Sequence, residues 1–492
     1  MSASRIAIAL LVAAGLPWPG QAQDATAALD AAAKAMGTAT LQSLRYTGTG
    51  SNNSLGQAYS TGGAWPRFTV KKYTALVNYT APAMRQEIVR IDDEDPPRGG
   101  GAGPFTPATG QGGIRPIPGD IIQNQNSDGR TEIGALNLWL TPHGFIKGAI
   151  ASGNAKIAGK RGRKTFVAFT AFGKYTVTGT LDERNLVERV ATVIDGGFTG
   201  DTPLTAEYSD YQSVVGVQLP RHIMQKQGGF PVLEIFVAEA EPNNAAALEI
   251  RGAQNAPPPA APAEVRTEKI GDGVWFLNLG APQALLVEFK DYLVIIEAPT
   301  GEERSLATIA AAKRLVPNKP IKYLVNTHHH SDHAGGLRTY VAEGIPIITH
   351  TSHKGWYERE IFKNAHALNP DRLARAPRAA MLELMGDKRV LSDGTMTLEL
   401  HLMRGNRHSE GLLMAYVPTL KMLIQADAFA PRPGAAPLPK PSPYTTNLVD
   451  NVERLKLDVQ RVAHVHGGVD GWDAVLAAAG KPVNASSSTS QR

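Results

Sequence analysis

The stretch Asn326-Thr-His-His-His-Ser-Asp-His-Ala-Gly-Gly336 decides the fold of this chain. Four side chains that can bind a metal ion lie within six of its positions, namely His328, His330, Asp332 and His333. A short apolar run at 321–325 precedes the stretch and a helical pattern follows it, so a loop between a strand and a helix is predicted. Such loops are where α/β proteins place their functional sites. Alternate residues such as His328 and His330 can face one ion, while Asp332 and His333 face a second, so this single loop can serve two ions.

Histidine runs also occur on solvated loops, but here the same half of the chain supplies further histidines and a carboxylate in matching contexts. The pattern His-x-His-x-Asp-His resembles the signature of the metallo-β-lactamase fold superfamily. The resemblance covers roughly residues 265–480 and is specific for the superfamily, though not for a substrate. It implies an α/β fold for the C-terminal half: an αββα sandwich of two sheets faced by outer helices, with metal ions at one edge.

The resemblance also implies a set of seven ligands for two metal ions. They are His328, His330 and His408 for the first ion, Asp332, His333 and His466 for the second, and Asp427 as a bridge between both. Each of the later three follows or lies between short apolar runs, as the family requires. His464 alternates with His466 and shares its face of a strand, so a ligand swap between them stays open. The Gly-Gly pair after His466 favours His466.

The chemistry of these residue types points to hydrolysis. Imidazole and carboxylate ligands suit zinc, and two Zn²⁺ ions per chain are expected. A zinc site with open positions lowers the pKa of bound water to about 7 and stabilises the charge that develops on a substrate oxygen. A metal-bound water is thus the expected nucleophile. Asp332 is assigned a catalytic role beside its role as a ligand.

Three details refine what the resemblance implies. His330 stands where the diiron branch of the superfamily usually has a carboxylate, which favours zinc over iron. Asp427 stands where β-lactamases usually have cysteine or serine, so a small ester, lactone or amide is expected as the substrate ahead of a β-lactam. Glu297 replaces the usual aspartate at the end of an early buried strand. The alternatives are oxidation or sulfur chemistry at a single iron, a β-lactamase, and a non-catalytic ligand-binding protein.

The remaining histidines near the motif receive other assignments. His329 lies between two ligands, so it should point away from the metal ions and form a supporting hydrogen bond. His350 and His353 fall where a strand meets the next helix, and a surface position is expected for both.

Composition allows two domains and argues against nucleic-acid binding. The chain has 492 residues and is 42% hydrophobic, enough for two cores. Lys and Arg number 50 against 45 Asp and Glu, a small excess that is spread along the chain. The expected partner is a small-molecule substrate, and the sequence leaves the oligomeric state unknown.

Residues 1–22 resemble a secretory signal peptide: Arg5 is followed by the apolar run 6–16 and then by Gly-Gln-Ala at 20–22. That run is shorter than the roughly 20 apolar residues of a membrane span, so no stable membrane anchor is expected. Cysteine is absent, which suits an oxidising compartment. A bacterial periplasm is the expected location, with secretion to the medium as the alternative.

The remaining segments differ in character. Residues 24–250 begin with a predicted helix at 24–36 and continue with alternating runs that predict a mainly antiparallel β domain, or an α+β one. It contains a Gly- and Pro-rich insertion at 95–119. A Pro- and Ala-rich linker at 251–264 precedes the metal-binding domain at 265–480, and 481–492 form a predicted disordered tail. Residues 365–386 are assigned to a helix over the pocket. A fragment that starts near Ala263 is expected to bind metal by itself.

Overall fold

The computed structural model describes residues 24–92, 94–100, 121–252, 264–430 and 441–483. The predicted signal peptide, most of the predicted insertion and linker, and most of the predicted tail lie outside these residues. We refer to residues 24–252 as the N-terminal region and to 264–483 as the C-terminal region. No described helix is long and apolar enough to cross a lipid bilayer.

The N-terminal region is built on one antiparallel sheet of 11 strands, as its alternating sequence predicts. Its strands, with the separate hairpin β10–β11, are β1 (Ser43–Asn53), β2 (Arg67–Asn78), β3 (Ala83–Ile91), β4 (Ile121–Asp128), β5 (Lys156–Arg161), β6 (Lys164–Ala171), β7 (Tyr175–Leu181), β8 (Val187–Asp195), β9 (Asp201–Ser209), β10 (Gln212–Val214), β11 (Val217–Leu219), β12 (His222–Gln227) and β13 (Phe230–Pro242). The order across the sheet is β4-β3-β2-β1-β13-β12-β9-β8-β7-β6-β5. Neighbouring strands are therefore mostly sequential, which is typical of a meander.

Three helices cover one face of this sheet. They are α1 (Thr26–Met36), α2 (Glu132–Trp139) and α3 (Pro142–Ser152), followed after β13 by the single turn α4 (Ala245–Leu248). The hydroxyls of Thr131 and Thr141 cap α2 and α3 by accepting hydrogen bonds from backbone N–H groups two to three residues into each helix. Buried apolar residues of all three longer helices pack in one cluster with those of the strands. The sheet thus buries one face, as antiparallel sheets commonly do.

The C-terminal region contains two sheets. The first has seven strands in sequence order: β14 (Arg266–Gly271), β15 (Val274–Asn278), β16 (Ala284–Glu288), β17 (Leu293–Ile296), β18 (Ile321–Val325), β19 (Ile347–His350) and β20 (Leu382–Met385). The second has six, also in sequence order: β21 (Lys388–Ser392), β22 (Thr397–Leu402), β23 (Leu413–Val417), β24 (Met422–Gln425), β25 (Arg461–His464) and β26 (Val469–Gly471). Strands β17 to β20 are parallel, and so is the pair β24–β25.

Seven α-helices accompany these sheets within the described residues. They are α5 (Glu302–Leu315), α6 (Ser331–Ala334), α7 (Leu337–Ala342), α8 (Lys354–Trp356), α9 (Arg372–Arg375), α10 (Pro443–Leu455) and α11 (Trp472–Ala478). Alternate residues of β17 show how the layers form. Val294 and Ile296 pack between the two sheets, whereas Leu293 and Ile295 pack outward in the cluster that contains α5 and α7 residues. The outer face of the second sheet packs against α10 and α11. The predicted αββα sandwich is confirmed.

Two details of the sequence-based prediction are wrong. Residues 365–386 form the single turn α9 and the edge strand β20 instead of a helix over the pocket. Most of this stretch has no repeating apolar face, and the Pro and Gly residues within it break helices. The loop predicted after β18 ends earlier than expected, because the single turn α6 already contains Asp332 and His333, whereas the helix predicted after the motif is present as α7.

Candidate metal centre

The candidate centre lies where the carboxyl ends of strands from both sheets of the C-terminal region meet. His328 and His330 follow β18, and α6 comes directly after them. His408 lies in the connection between β22 and β23, while Asp427 and His466 follow the parallel strands β24 and β25. Because parallel strands end at the same edge of a sheet, their following loops converge there.

The structure brings all seven predicted ligands together in three overlapping groups. Within each group the candidate ligand atoms lie within 4.8 Å of one another: His328, His330 and His408; His328, His333 and Asp427; and Asp332, His333 and His466. Neighbouring groups share a residue, because His328 belongs to the first and second and His333 to the second and third. The role of these residues as ligands stays a prediction, but their convergence is an observation.

Asp427 occupies the centre of this arrangement. Its Oδ2 lies 2.8 Å from His333 Nε2 and 3.5 Å from His328 Nε2. The same oxygen is 3.8 Å from His408 Nε2, and Oδ1 is 3.1 Å from His466 Nε2. The backbone of Asp427 has φ +61°, a left-handed conformation that is uncommon for non-glycine residues, although aspartate adopts it more often than most. One carboxylate therefore lies within 4 Å of histidines from all three groups.

Buried imidazole nitrogens without partners show that the cluster is suited to a cation. His328 Nε2, His330 Nδ1 and His408 Nε2 are buried and have no hydrogen-bond partner in the described structure. Buried polar atoms are nearly always satisfied, so three that converge on one point call for a ligand that accepts their lone pairs. A divalent metal ion fits this donor set, because neutral imidazole and carboxylate are its usual ligands.

Surrounding groups fix the orientation of the histidine rings. The Thr327 hydroxyl lies 2.9 Å from His328 Nδ1, which leaves Nε2 directed at the centre. Glu297, which is fully buried and has φ +78°, places its Oε2 3.3 Å from His333 Nδ1. A carboxylate that holds the far nitrogen of a histidine is a recurrent support in metal sites. Glu297 is thus placed where it can orient the ring of His333.

The pKa values of His328, His330 and Asp427 favour the forms of these side chains that bind metal. Burial, reinforced by neighbouring imidazoles, lowers the pKa of His328 well below its usual value and that of His330 to about 3. Burial opposes ionisation of Asp427, but the surrounding imidazoles, His333 first, outweigh it and hold the carboxyl pKa well below its usual range. Two histidines thus stay neutral and the carboxylate ionised at neutral pH, the forms that bind metal.

The open side of the centre is the side of the third group, which contains Asp332 and His466. The side chains of Asp332 and His466 are 33% and 23% exposed, whereas those of His328 and His333 are fully buried. A substrate would therefore approach past Asp332 and His466.

Other histidines are placed as follows. His329 points away from the centre, as predicted, and its Nδ1 lies 3.2 Å from the Ser409 hydroxyl. His464 Nε2 lies 2.7 Å from Asp470 Oδ2, outside the three groups. The surface position expected for His353 is wrong: it is fully buried, and its Nε2 lies 3.0 Å from the Glu410 carbonyl oxygen. That carbonyl gives the imidazole a partner, which makes burial possible.

Two contacts to the centre come from the N-terminal region. Gln57 Nε2 donates a hydrogen bond of 2.8 Å to Asp332 Oδ1, and the Ala58 carbonyl oxygen lies 2.9 Å from His330 Nε2. Each pair is separated by more than 270 positions in sequence. No local pattern around Gln57 carries this information, so sequence reasoning missed both.

Comparison with known proteins gives a consistent result for the C-terminal region. The model of the metallo-beta-lactamase superfamily matches residues 277–466. A search of curated proteins finds no match.

Three similar solved structures illustrate the range of likeness. The DIM-1 metallo-beta-lactamase is 16% identical, with 44% of this chain and 96% of that chain covered and a TM-score of 0.34. A metallo beta lactamase from Hirschia baltica is 21% identical, with 45% and 99% covered and a TM-score of 0.33. Rubredoxin oxygen:oxidoreductase from Desulfovibrio gigas is 20% identical, with 44% and 60% covered and a TM-score of 0.33.

Proposed function

We propose, from the membership of residues 277–466 in the metallo-beta-lactamase superfamily, that this chain is a dinuclear zinc hydrolase acting on a small ester, lactone or amide-type substrate. The observation that carries the proposal is the position of Asp427, whose Oδ2 lies 2.8 Å from His333 Nε2 and 3.5 Å from His328 Nε2. His328 also belongs to the group with His330 and His408, and His333 also belongs to the group with Asp332 and His466. A carboxylate so placed can bridge two cations.

Zinc is favoured by the donor set. The seven side chains offer only imidazole nitrogen and carboxylate oxygen, and the chain has no cysteine. When bound, two zinc ions would supply an activated water at neutral pH and stabilise negative charge on the substrate oxygen. Iron in place of zinc is the alternative, and elemental analysis of protein purified without added metal distinguishes the two.

The chain's own residues would hold and orient this chemistry. The Ala58 carbonyl accepts from Nε2 of His330 and so leaves Nδ1 free as a ligand atom. The Glu297 carboxylate lies 3.3 Å from Nδ1 of His333, on the side of that ring away from Asp427, where it would help to orient the ring. The partly exposed Asp332 and His466 form the side that admits substrate.

The substrate class and the location are further parts of the proposal. Asp427 at the bridging position supports esters, lactones and similar bonds ahead of β-lactams. The signal-like residues 1–22 support export, to the periplasm or the medium. A small molecule is therefore the proposed partner.

A substrate panel tests the proposal. Purified protein is assayed on lactones, aryl esters, phosphodiesters, sulfate esters and β-lactams, with chelator and with zinc restored. We expect turnover of at least one member, lost with chelator and recovered with zinc. His330→Ala should be inactive on that substrate, whereas His222→Ala, a histidine on β12 outside the centre, should keep full activity. Zinc-loaded protein that turns over nothing, or turnover that survives both chelator and His330→Ala, would contradict the proposal.

A pocket in the N-terminal region favours a second candidate function, the binding of an amphiphile. Its volume is about 420 Å³, and it lies between α2, α3 and β6, with Leu138, Trp139, Phe169 and Phe172 in its lining. Lys147 is the one cation in the lining, and burial lowers its pKa. An apolar cavity with one cation suits a fatty acid or a similar anionic amphiphile.

Fluorescent fatty-acid titration tests this second candidate. Saturable binding should weaken in Lys147→Met, which removes the cation. It should also weaken in Gly148→Leu, because a Cβ at Gly148 would lie 2.4 Å from the ring of Trp139, which lines the pocket. The matched control is Lys160→Met, a lysine on the exposed strand β5. Unsaturable binding, or equal binding by all four proteins, would exclude the pocket as the site.

A further inference from the structure

A short segment of the N-terminal region lies directly on the metal-binding motif. We call residues 56–59 the strap. The backbone carbonyl of Gly56 accepts a hydrogen bond of 3.2 Å from Ser331 N, and that of Tyr59 accepts one of 2.7 Å from Glu410 N. The Gln57 side chain and the Ala58 carbonyl lie between these two contacts. The strap is thus fixed at both ends to the C-terminal region.

A second segment, which contains Gly99 and Gly100, contacts the backbone of the strap at Gln57. Gly100 N donates a hydrogen bond of 2.9 Å to the carbonyl oxygen of Gln57, and Gly99 N donates one of 2.8 Å to that of Arg407. The Tyr444 hydroxyl on α10 donates to the Gly99 carbonyl oxygen at 2.7 Å. The backbone of Gln57 is therefore held in place by residues from both regions.

Two glycines allow this close approach. Gly56 has φ +72°, and a Cβ there would lie 2.6 Å from Ser331 Oγ. A Cβ at Gly100 would lie 1.8 Å from Gln57 Oε1 and 3.1 Å from His330 Cε1. Distances below 3 Å are shorter than van der Waals contact between such atoms. The strap is packed against the motif as tightly as the backbone permits.

The Gln57 amide determines how Asp332 can bind a metal ion. A carboxylate only accepts hydrogen bonds, so the contact at Oδ1 must come from the amide N–H. The other oxygen, Oδ2, lies 3.4 Å from His333 Nε2 and 3.9 Å from His466 Nε2. With Oδ1 occupied by Gln57, Oδ2 is the atom directed at the second metal position.

We infer that Gln57 of the N-terminal region is a positioning residue for the second metal ion, acting through Asp332. The inference rests on the proposed function insofar as Asp332 is a metal ligand. Groups that hold ligating carboxylates usually contribute about 10–100-fold to metal affinity. The metal centre is accordingly shared between the two regions, and Gln57 should raise the affinity for one ion of the two.

Zinc affinity of the full-length chain tests the inference. Metal-free protein is titrated with zinc against a chromophoric chelator, which yields one dissociation constant for each ion. Gln57→Leu keeps the side-chain size but removes the donor. We expect it to lower the affinity for the second ion by about 10–100-fold and to leave the affinity for the first within about twofold of wild type. Thr61→Val is the matched control, because Thr61 also contacts the C-terminal region, at the Ser352 carbonyl oxygen, but touches no candidate ligand.

The outcomes separate this inference from the proposed function. Unchanged affinity for both ions in Gln57→Leu would overturn it, as would equal weakening of both ions in Gln57→Leu and Thr61→Val. Wild-type protein that binds one zinc ion only would also overturn it. Wild-type protein that binds two zinc ions but hydrolyses nothing in the panel contradicts the proposed function alone. The affinity difference between wild type and Gln57→Leu would then still decide the role of Gln57.

Discussion

The two regions of this molecule use β-structure in different ways. The N-terminal region is a single antiparallel sheet with helices on one face, and consecutive strands are mostly neighbours. The C-terminal region stacks two sheets with parallel strands, whose carboxyl ends converge at one edge and place the candidate ligands there. Nevertheless, the meander supplies Gln57 and Ala58 to that edge. The region that contains the motif therefore does not build the whole centre.

Removal of the N-terminal region should have the largest effect and tests this division directly. The three apolar clusters of the C-terminal region consist of residues from 265 onward, with only the partly buried Phe198 added from outside. A fragment of residues 264–492 should therefore fold and bind zinc. It lacks Gln57, which contacts a candidate ligand of the second ion, and Ala58, which contacts one of the first, so both ions should bind about 10–100-fold more weakly, with turnover reduced to match.

Zinc titration and turnover of the fragment beside the full-length chain provide the measurement. Wild-type affinity for both ions in the fragment would show that the strap contributes nothing. An insoluble or metal-free fragment would show instead that the sheet completes the core of its neighbour.

A core substitution in the N-terminal region should separate its stability from metal binding. Phe145 on α3 is fully buried, and its ring lies 5.9 Å from that of Phe169. Phe145→Ala should lower the free energy of unfolding by about 3–5 kcal/mol, measured by urea denaturation. Ile150→Ala on the same helix is the control, because Ile150 is 50% exposed and should change stability by less than about 0.5 kcal/mol. Zinc content should stay at the wild-type level in both, and its loss in folded Phe145→Ala would mean that the two cores are coupled.

The contact between the strap and the motif can be tested at one glycine. Gly56→Ala places a Cβ in a left-handed conformation and against Ser331, whereas at Gly62, φ +71°, the nearest atom to a Cβ is 4.0 Å away. Gly62→Ala should lower the free energy of unfolding by about 1–2 kcal/mol, because alanine is strained in a left-handed backbone conformation. Gly56→Ala should lower the free energy of unfolding by about 1–3 kcal/mol more, because its Cβ would also clash with Ser331. It should also weaken the binding of the second zinc ion. Equal thermal stability and zinc affinity of the two variants would show that the strap can move away from Ser331.

Much of the C-terminal region could be predicted from the sequence because its ligands follow continuous apolar runs. The run 321–325 predicted β18, and four ligand candidates stand within six positions after it. Asp427 and His466 close similar runs. The strand before Asp427, β24, is fully buried, and such strands are apolar on both faces, which makes them easy to recognise. The helix predicted over 365–386 failed because β20 is a short edge strand whose sequence lacks a clear period of two.

The contribution of the N-terminal region could not be predicted, because it depends on contacts between distant parts of the chain. Gln57 lies in a turn between β1 and β2, where a polar residue suggests only solvent exposure. Its role arises from the packing of the strap on α6, which no local pattern encodes. The position of His353 is a similar case, since its burial depends on the distant carbonyl of Glu410.

Elemental analysis of wild type beside Asp427→Ala tests the central claim most directly, since Asp427 lies within 4 Å of histidines from all three groups of candidate ligands. The account predicts about two zinc ions per wild-type chain and reduced occupancy at both positions in Asp427→Ala, with the fold intact by circular dichroism. An Asp427→Ala protein that retains the wild-type zinc content would remove Asp427 from the centre and contradict the shared, dinuclear site.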